Sequence, residues 1–229
     1  MHESSVLRMK WFVDNYASKI AEKVIKILDV GSYDVNGSYK HLFDKNKYEY
    51  TGLDMDEGPN VDIVPSNPYD WSEIATDTFD IVISGQAFEH IEFFWITMSE
   101  MTRVLKKDGL LCLIAPKGTG EHRFPVDCYR FLCDGMVALS RYVSLELLHA
   151  HTNCAPNVND SDWYNEKKAD SMLIAKKPYD GQPKYVDLST YKCIPVDQAT
   201  IRDNFVPSKR KKREKGNQRL LHRLKLLFS

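Results

Sequence analysis

An open, doubly wound α/β sheet of about seven strands, mostly parallel with an antiparallel edge strand, is the fold this sequence predicts. Three observations carry that expectation. Short apolar runs rich in β-branched residues alternate with helix-period segments through the first three quarters of the chain, the pattern of strands joined by crossover helices. Two of the runs, "FDIVISG" and "LLCLIAP", are predominantly apolar rather than alternating, as strands covered on both faces are. The first run, "KILDV", stops at a glycine, where a buried strand can turn tightly.

In "MKWFVDNYASKIAEK" and the residue after it, Trp11, Phe12, Tyr16, Ile20 and Val24 recur at helical spacing. "KILDV", "YTGLD" and "VDIV" read as three short strands between loops and brief helical pieces, and "FDIVISG" as the fourth. "FWITMSEMTRVLK" is an amphipathic helix, with Gly109 of "KKDG" as its C-terminal stop. "LLCLIAP" is strand five, and "DGMVALSRYV" a helix after it. "SLELLHAHT" and "SMLIAKK" close the order as strands six and seven, an antiparallel hairpin at one sheet edge.

The 229 residues are 43% hydrophobic and 28% charged, enough apolar mass for a real core and unlike a disordered chain. No run of about 18 uncharged apolar residues would span a membrane, and the N-terminal segment has charges where a secretion signal has its apolar centre. The five cysteines (Cys112, Cys128, Cys133, Cys154 and Cys193) form no C-x-x-C pair, so buried thiols in a reducing cytoplasm are expected. Charge is uneven. From Val206 onward there are nine Lys/Arg and one Glu, a net of +8, which leaves −9 on the rest of a chain totalling −1. An acidic body argues against a nucleic-acid groove on the main domain.

In such a sheet, ligands bind at the carboxyl ends of the strands. Gly31 after "KILDV" would let a backbone approach a ligand, with the next helix pointing its N-terminus into the same space. Asp54, 23 residues beyond Gly31, ends the second strand, where a carboxylate can accept both hydroxyls of a ribose. "GSYDVNG" is not G-x-G-x-x-G, which disfavours a dinucleotide; an adenosine cofactor without a pyrophosphate tolerates the bulkier loop.

"ILDVGSYDVNGSY", "YTGLDMD", "FDIVISGQAFEHI" and "MTRVLKKDGLLCLIAP", in this order from Ile25 to Lys177, resemble the successive motifs of class I S-adenosylmethionine-dependent methyltransferases. The resemblance implies a Rossmann-like sheet, S-adenosylmethionine as cofactor and S-adenosylhomocysteine as product. It assigns Asp29, Gly31, Ser32, Tyr33, Asp54, Met55, Asn67, Ser84, Gly85 and Gln86 to the cofactor, and Glu89 and His90 to the frequent "EH" position. Two departures stand out. Tyr33 occupies a position that is often glycine, so the loop must take another path or be held by Asn36-Gly37. Also, no acid follows the third strand to meet adenine, where only Ser66 or Asn67 is available. "SNPY" imitates a DNA-amine methylation signature in the wrong place and reads as a turn, with Pro68 starting a helix.

The loop "KGTGEHRFPVDCYRF" follows strand five, where substrate residues collect. Together with "GQAFEHIEFFW" it resembles a subgroup of methyltransferases of surface-polysaccharide biosynthesis, which implies a sugar or glycan hydroxyl as acceptor. A hydroxyl of high pKa benefits from a base, for which His122 and His90 are the candidates. Arg123, Asp127 and Arg130 would hold sugar hydroxyls or a phosphate, and Tyr129 would stack on a pyranose. The bland alternatives are a His90 that caps a helix near Glu92, an Asp127–Arg130 pair serving only itself, edge positions for His149 and His151, and a packed loop around Asp162-Trp163. No metal is expected, although Glu89, His90 and Asp127 are the groups that could converge on one.

The chain is thus read as a methyltransferase domain (residues 1–178), an irregular extension (179–207) and a basic amphipathic helix (208–229). In that helix, Leu220, Leu221, Leu224, Leu227 and Phe228 share a face among basic residues. Lys209 through Phe228 would dock a cytoplasmic enzyme on the inner membrane face or on a protein partner. The alternatives are methylation of another small molecule, or a catalytically silent S-adenosylmethionine-binding module within an assembly.

Overall fold

The computed structural model describes residues 3–152 and 169–179. The expectations for residues 180–229, for Asp162-Trp163, and for Cys154 and Cys193 lie outside them.

The described elements run α1 (Glu3–Asn15), β1 (Ile25–Val30), β2 (Tyr48–Leu53), β3 (Phe79–Gly85), α2 (Phe94–Val104), β4 (Leu105–Gly118), α3 (Cys133–Tyr142), β5 (Glu146–Thr152) and β6 (Ala169–Lys176). They form one six-stranded sheet in the order β2-β1-β3-β4-β6-β5. β2, β1, β3 and β4 are parallel, while β6 pairs antiparallel with both β4 and β5. The chain leaves β1 toward one edge and returns at β3 on its other side, so strand order reverses between them. That is where an open sheet parts into a crevice.

Period-2 alternation explains why both faces are covered. On β3 and β4, Val82, Leu111, Leu113 and Ala115 enter one core layer with Met98, Met101 and Val104 of α2 and Met136 and Val137 of α3. Ile81, Ile83, Cys112 and Ile114 enter the other with Met9 and Phe12 of α1. Each such aliphatic side chain contributes about 1.5–3 kcal/mol through burial, and both faces need it. The apolar runs of the parallel strands follow from that demand.

Several expectations need correction. Residues 61–64 are not a strand: Ile63 makes one parallel bridge to Leu53, because the amides of Asp62 and Ile63 both donate to Gly52 O and Pro65 follows. No α-helix follows β1; the link holds only a short 3-10 turn, Tyr39–Leu42. Pro68 sits in a turn closed by Asp70 N to Asn67 O and starts no helix. α1 stops at Asn15, and Val24 is 47% exposed. Gly109 does not end α2, which stops at Val104 when Leu105 becomes extended (φ −71°, ψ 131°). Gly109 serves instead in the irregular start of β4, where an added Cβ would lie 2.9 Å from Asp80 O. Of the described cysteines only Cys112 is buried, and Cys128 is exposed.

Candidate active site

A cavity of about 1020 Å³ opens at the carboxyl ends of β1, β2 and β3. The link after β1 forms one side of it, and the loop after β4 the other. Among the described residues, six acidic side chains and one guanidinium line it, a balance that favours a cationic ligand.

Around β1 the cavity is shaped by backbone. Gly31 has φ +79°, and a Cβ there would fall 2.3 Å from the Cβ of Ala87. Only glycine combines that left-handed turn with that closeness. The loop passes Tyr33 outward, so that its ring lies against Gly58, with Cε2 2.1 Å from where a Cβ would be. Asp34 accepts from Gly37 N at 2.5 Å, and its amide donates to Pro59 O. Tyr33 is therefore accommodated by a different path, with Gly37 in its hold. Asp54 accepts from the amides of Tyr33 (2.9 Å) and Met55 (2.8 Å), which leaves lone pairs for further donors. Ser32 exchanges hydrogen bonds with Asn60. Asp29 is buried beneath the turn and accepts from the Tyr50 hydroxyl at 2.6 Å. Burial pushes its carboxyl up to about 7, against the lowering effect of the Tyr50 bond and with a smaller upward push from Asp54.

Two assigned residues stand apart from the lining. Ser84 is buried and clips β3 to β1 by donating to Val30 O at 2.7 Å. The side chain of Asn67 accepts from Tyr69 N, closing a surface turn; Pro65, Pro68 and Tyr69 line the cavity nearby. Gly85 and Gln86 do line it, and they reveal residues that sequence patterns had not marked. A Cβ on Gly85 would sit 2.0 Å from the hydroxyl oxygen of Tyr39, which is held at 2.5 Å from Ser5 Oγ in α1. Gln86 (φ 59°) donates to Asp170 at 3.1 Å, and Asp170 accepts from Ser4 and faces the buried Arg8 at 3.5 Å. The polar residues Ser5 and Arg8 on the inner face of α1 were the available signal.

The loop side is built from side chains. Glu89 and His90 occupy the 3-10 turn Phe88–His90, while α2 begins only at Phe94, so His90 caps no helix at Glu92. His90 Nδ1 lies 2.5 Å from Val126 O, and His122 Nδ1 lies 3.0 Å from Gly120 O. The rings meet edge to face at 4.9 Å. Glu89 Oε1 is 3.7 Å from His90 Nε2 and 3.9 Å from His122 Nε2. Burial raises the Glu89 carboxyl to about 8, against a lowering pull from its own backbone amide. Burial, above all, lowers the His90 pKa.

Asp127 and Arg130 form a two-armed ion pair (2.5 and 2.7 Å), and Asp127 also accepts from His122 N at 2.8 Å. The Arg130 hydrogen bonds hold the Asp127 carboxyl well below its ordinary range. The pair braces the loop that carries His122 and is absent from the lining. Tyr129 packs edge-on against Phe94 at 4.8 Å and donates to Glu92 O, so its ring is committed to packing. Phe124, 59% exposed, is the aromatic that the loop presents to the cavity. Arg123 lines it too, paired with Glu121 at 2.7 Å. His149 and His151 lie elsewhere, buried on β5 beside Trp11 and 2.7 Å from each other.

Residues 28–113 match the protein family described as a methyltransferase domain. No curated protein matches the chain. Among solved structures, it is similar to the 1,6-didemethyltoxoflavin-N1-methyltransferase of Burkholderia thailandensis, which was solved with 1,6-didemethyltoxoflavin and S-adenosylhomocysteine (TM-score 0.56, 14% identity, 77% of this chain and 80% of that one). It is also similar to a SAM-dependent methyltransferase from Archaeoglobus fulgidus (TM-score 0.53, 15%, 76% and 95%) and to the cyclase SpnF (TM-score 0.54, 17%, 74% and 80%). At these identities the likenesses speak for the fold, and the family match speaks for the chemistry. With that match running from β1 into β4, above which the cavity opens, the chain is an S-adenosylmethionine-dependent methyltransferase.

Proposed function

We propose that this enzyme methylates a hydroxyl group, on a sugar or glycan acceptor. The observation that carries the reading is the Glu89–His90–His122 cluster. It puts proton acceptors in the same cavity as Gly31 and Asp54. S-adenosylmethionine bound there supplies a methyl group on a sulfonium and is left as S-adenosylhomocysteine.

The chain's own residues do the rest. Gly31 leaves room for close backbone approach, and Asp54 has lone pairs for ribose hydroxyls. Ser32, Tyr33, Met55, Gly85 and Gln86 bound the same space. The carboxylates of the lining favour the sulfonium charge. On the other side, His122 Nε2 or His90 Nε2 takes the acceptor's proton as the oxygen attacks, a role that contributes about 10²–10⁴-fold. His90, with its lowered pKa, is neutral and able to accept at physiological pH. Arg123 offers donors to sugar hydroxyls or a phosphate, and Phe124 offers a face for the ring. Asp127 and Arg130 act through His122 by fixing its loop. The basic segment Lys209 through Phe228 supports docking on an anionic membrane face at the cytoplasmic side, where lipid-linked acceptors would be met.

Transfer of a labelled methyl group to a panel of glycans, simple alcohols and amines tests this. Wild type is expected to label hydroxyls. His122→Ala should reduce turnover by about 10²–10⁴-fold while calorimetry finds its S-adenosylmethionine affinity unchanged. Labelling confined to amines would sink the hydroxyl reading, and full turnover in His122→Ala would remove that residue from the chemistry.

A further inference from the structure

Three acceptor groups converge at the loop side of the cavity with no hydrogen bond among them. One ligand atom from each of Glu89, His90 and His122 lies within 4.8 Å of the other two. Each ring keeps Nδ1 against a main-chain carbonyl, Val126 O or Gly120 O. A carbonyl only accepts, so Nδ1 bears the hydrogen, and Nε2 of the neutral ring bears the lone pair. Both Nε2 atoms face the Glu89 carboxylate at 3.7 and 3.9 Å, too far for a hydrogen bond. That carboxylate is 1% exposed, and neither of its oxygens has a hydrogen-bond partner among the described residues. Nearby Arg130 is already engaged by Asp127, Tyr129 O and Gly120 O. Buried polar groups are normally satisfied, and one cation would satisfy the Glu89 carboxyl group and both imidazole lone pairs at once.

We infer that Glu89, His90 and His122 form a site for one divalent transition-metal ion, with Nε2 of both histidines and a Glu89 oxygen as its ligands. Two imidazoles and a carboxylate suit Zn²⁺, Fe²⁺ or Mn²⁺ better than Mg²⁺ or Ca²⁺, which take oxygen ligands. The Nδ1–carbonyl contacts are the outer partners that orient ligating histidines. Metal–ligand bonds of about 2.0–2.2 Å require the three groups to close by roughly 0.5 Å. His122, on a loop and 35% exposed, has the freedom to do so. Three ligands leave positions open toward the cavity.

The ion's role rests on the hydroxyl reading above. An acceptor oxygen bound at an open position has its pKa lowered. Its proton passes to water, the C–O bond forms, and the C–S bond breaks with its electron pair kept by sulfur. In that state the histidines serve as ligands in place of bases.

Co²⁺ added to the full chain after chelator treatment reads the site through its visible absorption, independently of turnover. One Co²⁺ per chain is expected, displaced by Zn²⁺ and retained in His41→Ala. Its affinity should fall in Glu89→Gln and in His122→Ala by more than the about 10–100-fold typical of removing an outer partner. S-adenosylmethionine binding of His122→Ala should stay unchanged, and the circular dichroism and unfolding midpoint of Glu89→Gln should match wild type, which together exclude misfolding. No Co²⁺ binding at millimolar concentration, or binding undiminished in both variants, would overturn the site. Binding that meets these conditions without any methyl transfer to hydroxyls upholds the site and sinks the hydroxyl reading instead.

Discussion

The two sides of the cavity are made by different means. The β1 side is backbone: a left-handed Gly31, a glycine at 85 beneath the Tyr39 hydroxyl, and a carboxylate at a strand end. The loop side is side chain: a buried carboxylate, two imidazoles and an ion pair that braces them. Backbone shape is indifferent to the acceptor and can be shared by many methyltransferases. Side-chain chemistry is local, and it is what differs from one site to another on a shared fold.

That contrast can be broken in order of effect. Gly31→Ala should be the most severe, because it combines a left-handed φ costing about 1–2 kcal/mol with an overpacked contact costing about 1–3 kcal/mol. Denaturant unfolding should show both, and calorimetry should show S-adenosylmethionine binding lost. Wild-type binding in that variant would mean the β1 side is not shaped by its backbone. Asp54→Asn removes a charge-assisted hydrogen bond of about 1.5–3 kcal/mol, so cofactor affinity should drop about 10–100-fold. One of the Tyr33 and Met55 amides also loses its acceptor oxygen, so stability should fall by about 1 kcal/mol, with the loop side untouched. An equal drop in His122→Ala would merge the two sides into one.

The smallest effect at any one pH step belongs to Asp29. Its folded pKa, about 7, lies above the ordinary value near 4. The folded state therefore binds the extra proton between those values, and stability falls as pH rises from about 4 to about 7. The slope is at most about 1.4 kcal/mol per pH unit. Asp29→Asn should remove that contribution and leave the one of the same sign from Glu89, and superimposable stability profiles of the two proteins would refute the assignment.

The β1 side was legible in sequence because its signals are local. A strand pattern ending in Gly31 and an acid ending the next strand are both set within a few residues. The path around Tyr33 was not legible, since it depends on Gly58 and Pro59, brought near by tertiary contact. The loop side was half legible. "EH" and "GEHRF" identified Glu89, His90 and His122, but their meeting depends on Val126 and Gly120 carbonyls that no pattern marks. Which aromatic lines the cavity was not legible for the same reason: Tyr129 and Phe124 look alike in sequence, and packing against Phe94 takes Tyr129 away while Phe124 stays in the lining. Residues 61–64 misled because apolar alternation does not reveal that Gly52 O takes both amides.

α1 has a practical consequence. Through Ser5 and Tyr39 it sets the height of the ground under Gly85, and through Arg8, Ser4 and Asp170 it holds Gln86. A shortened version that starts at the first strand would keep every motif yet lose the prop beneath them. Purification handles and truncations at the front of the chain therefore bear on the cavity wall at Gly85 and Gln86.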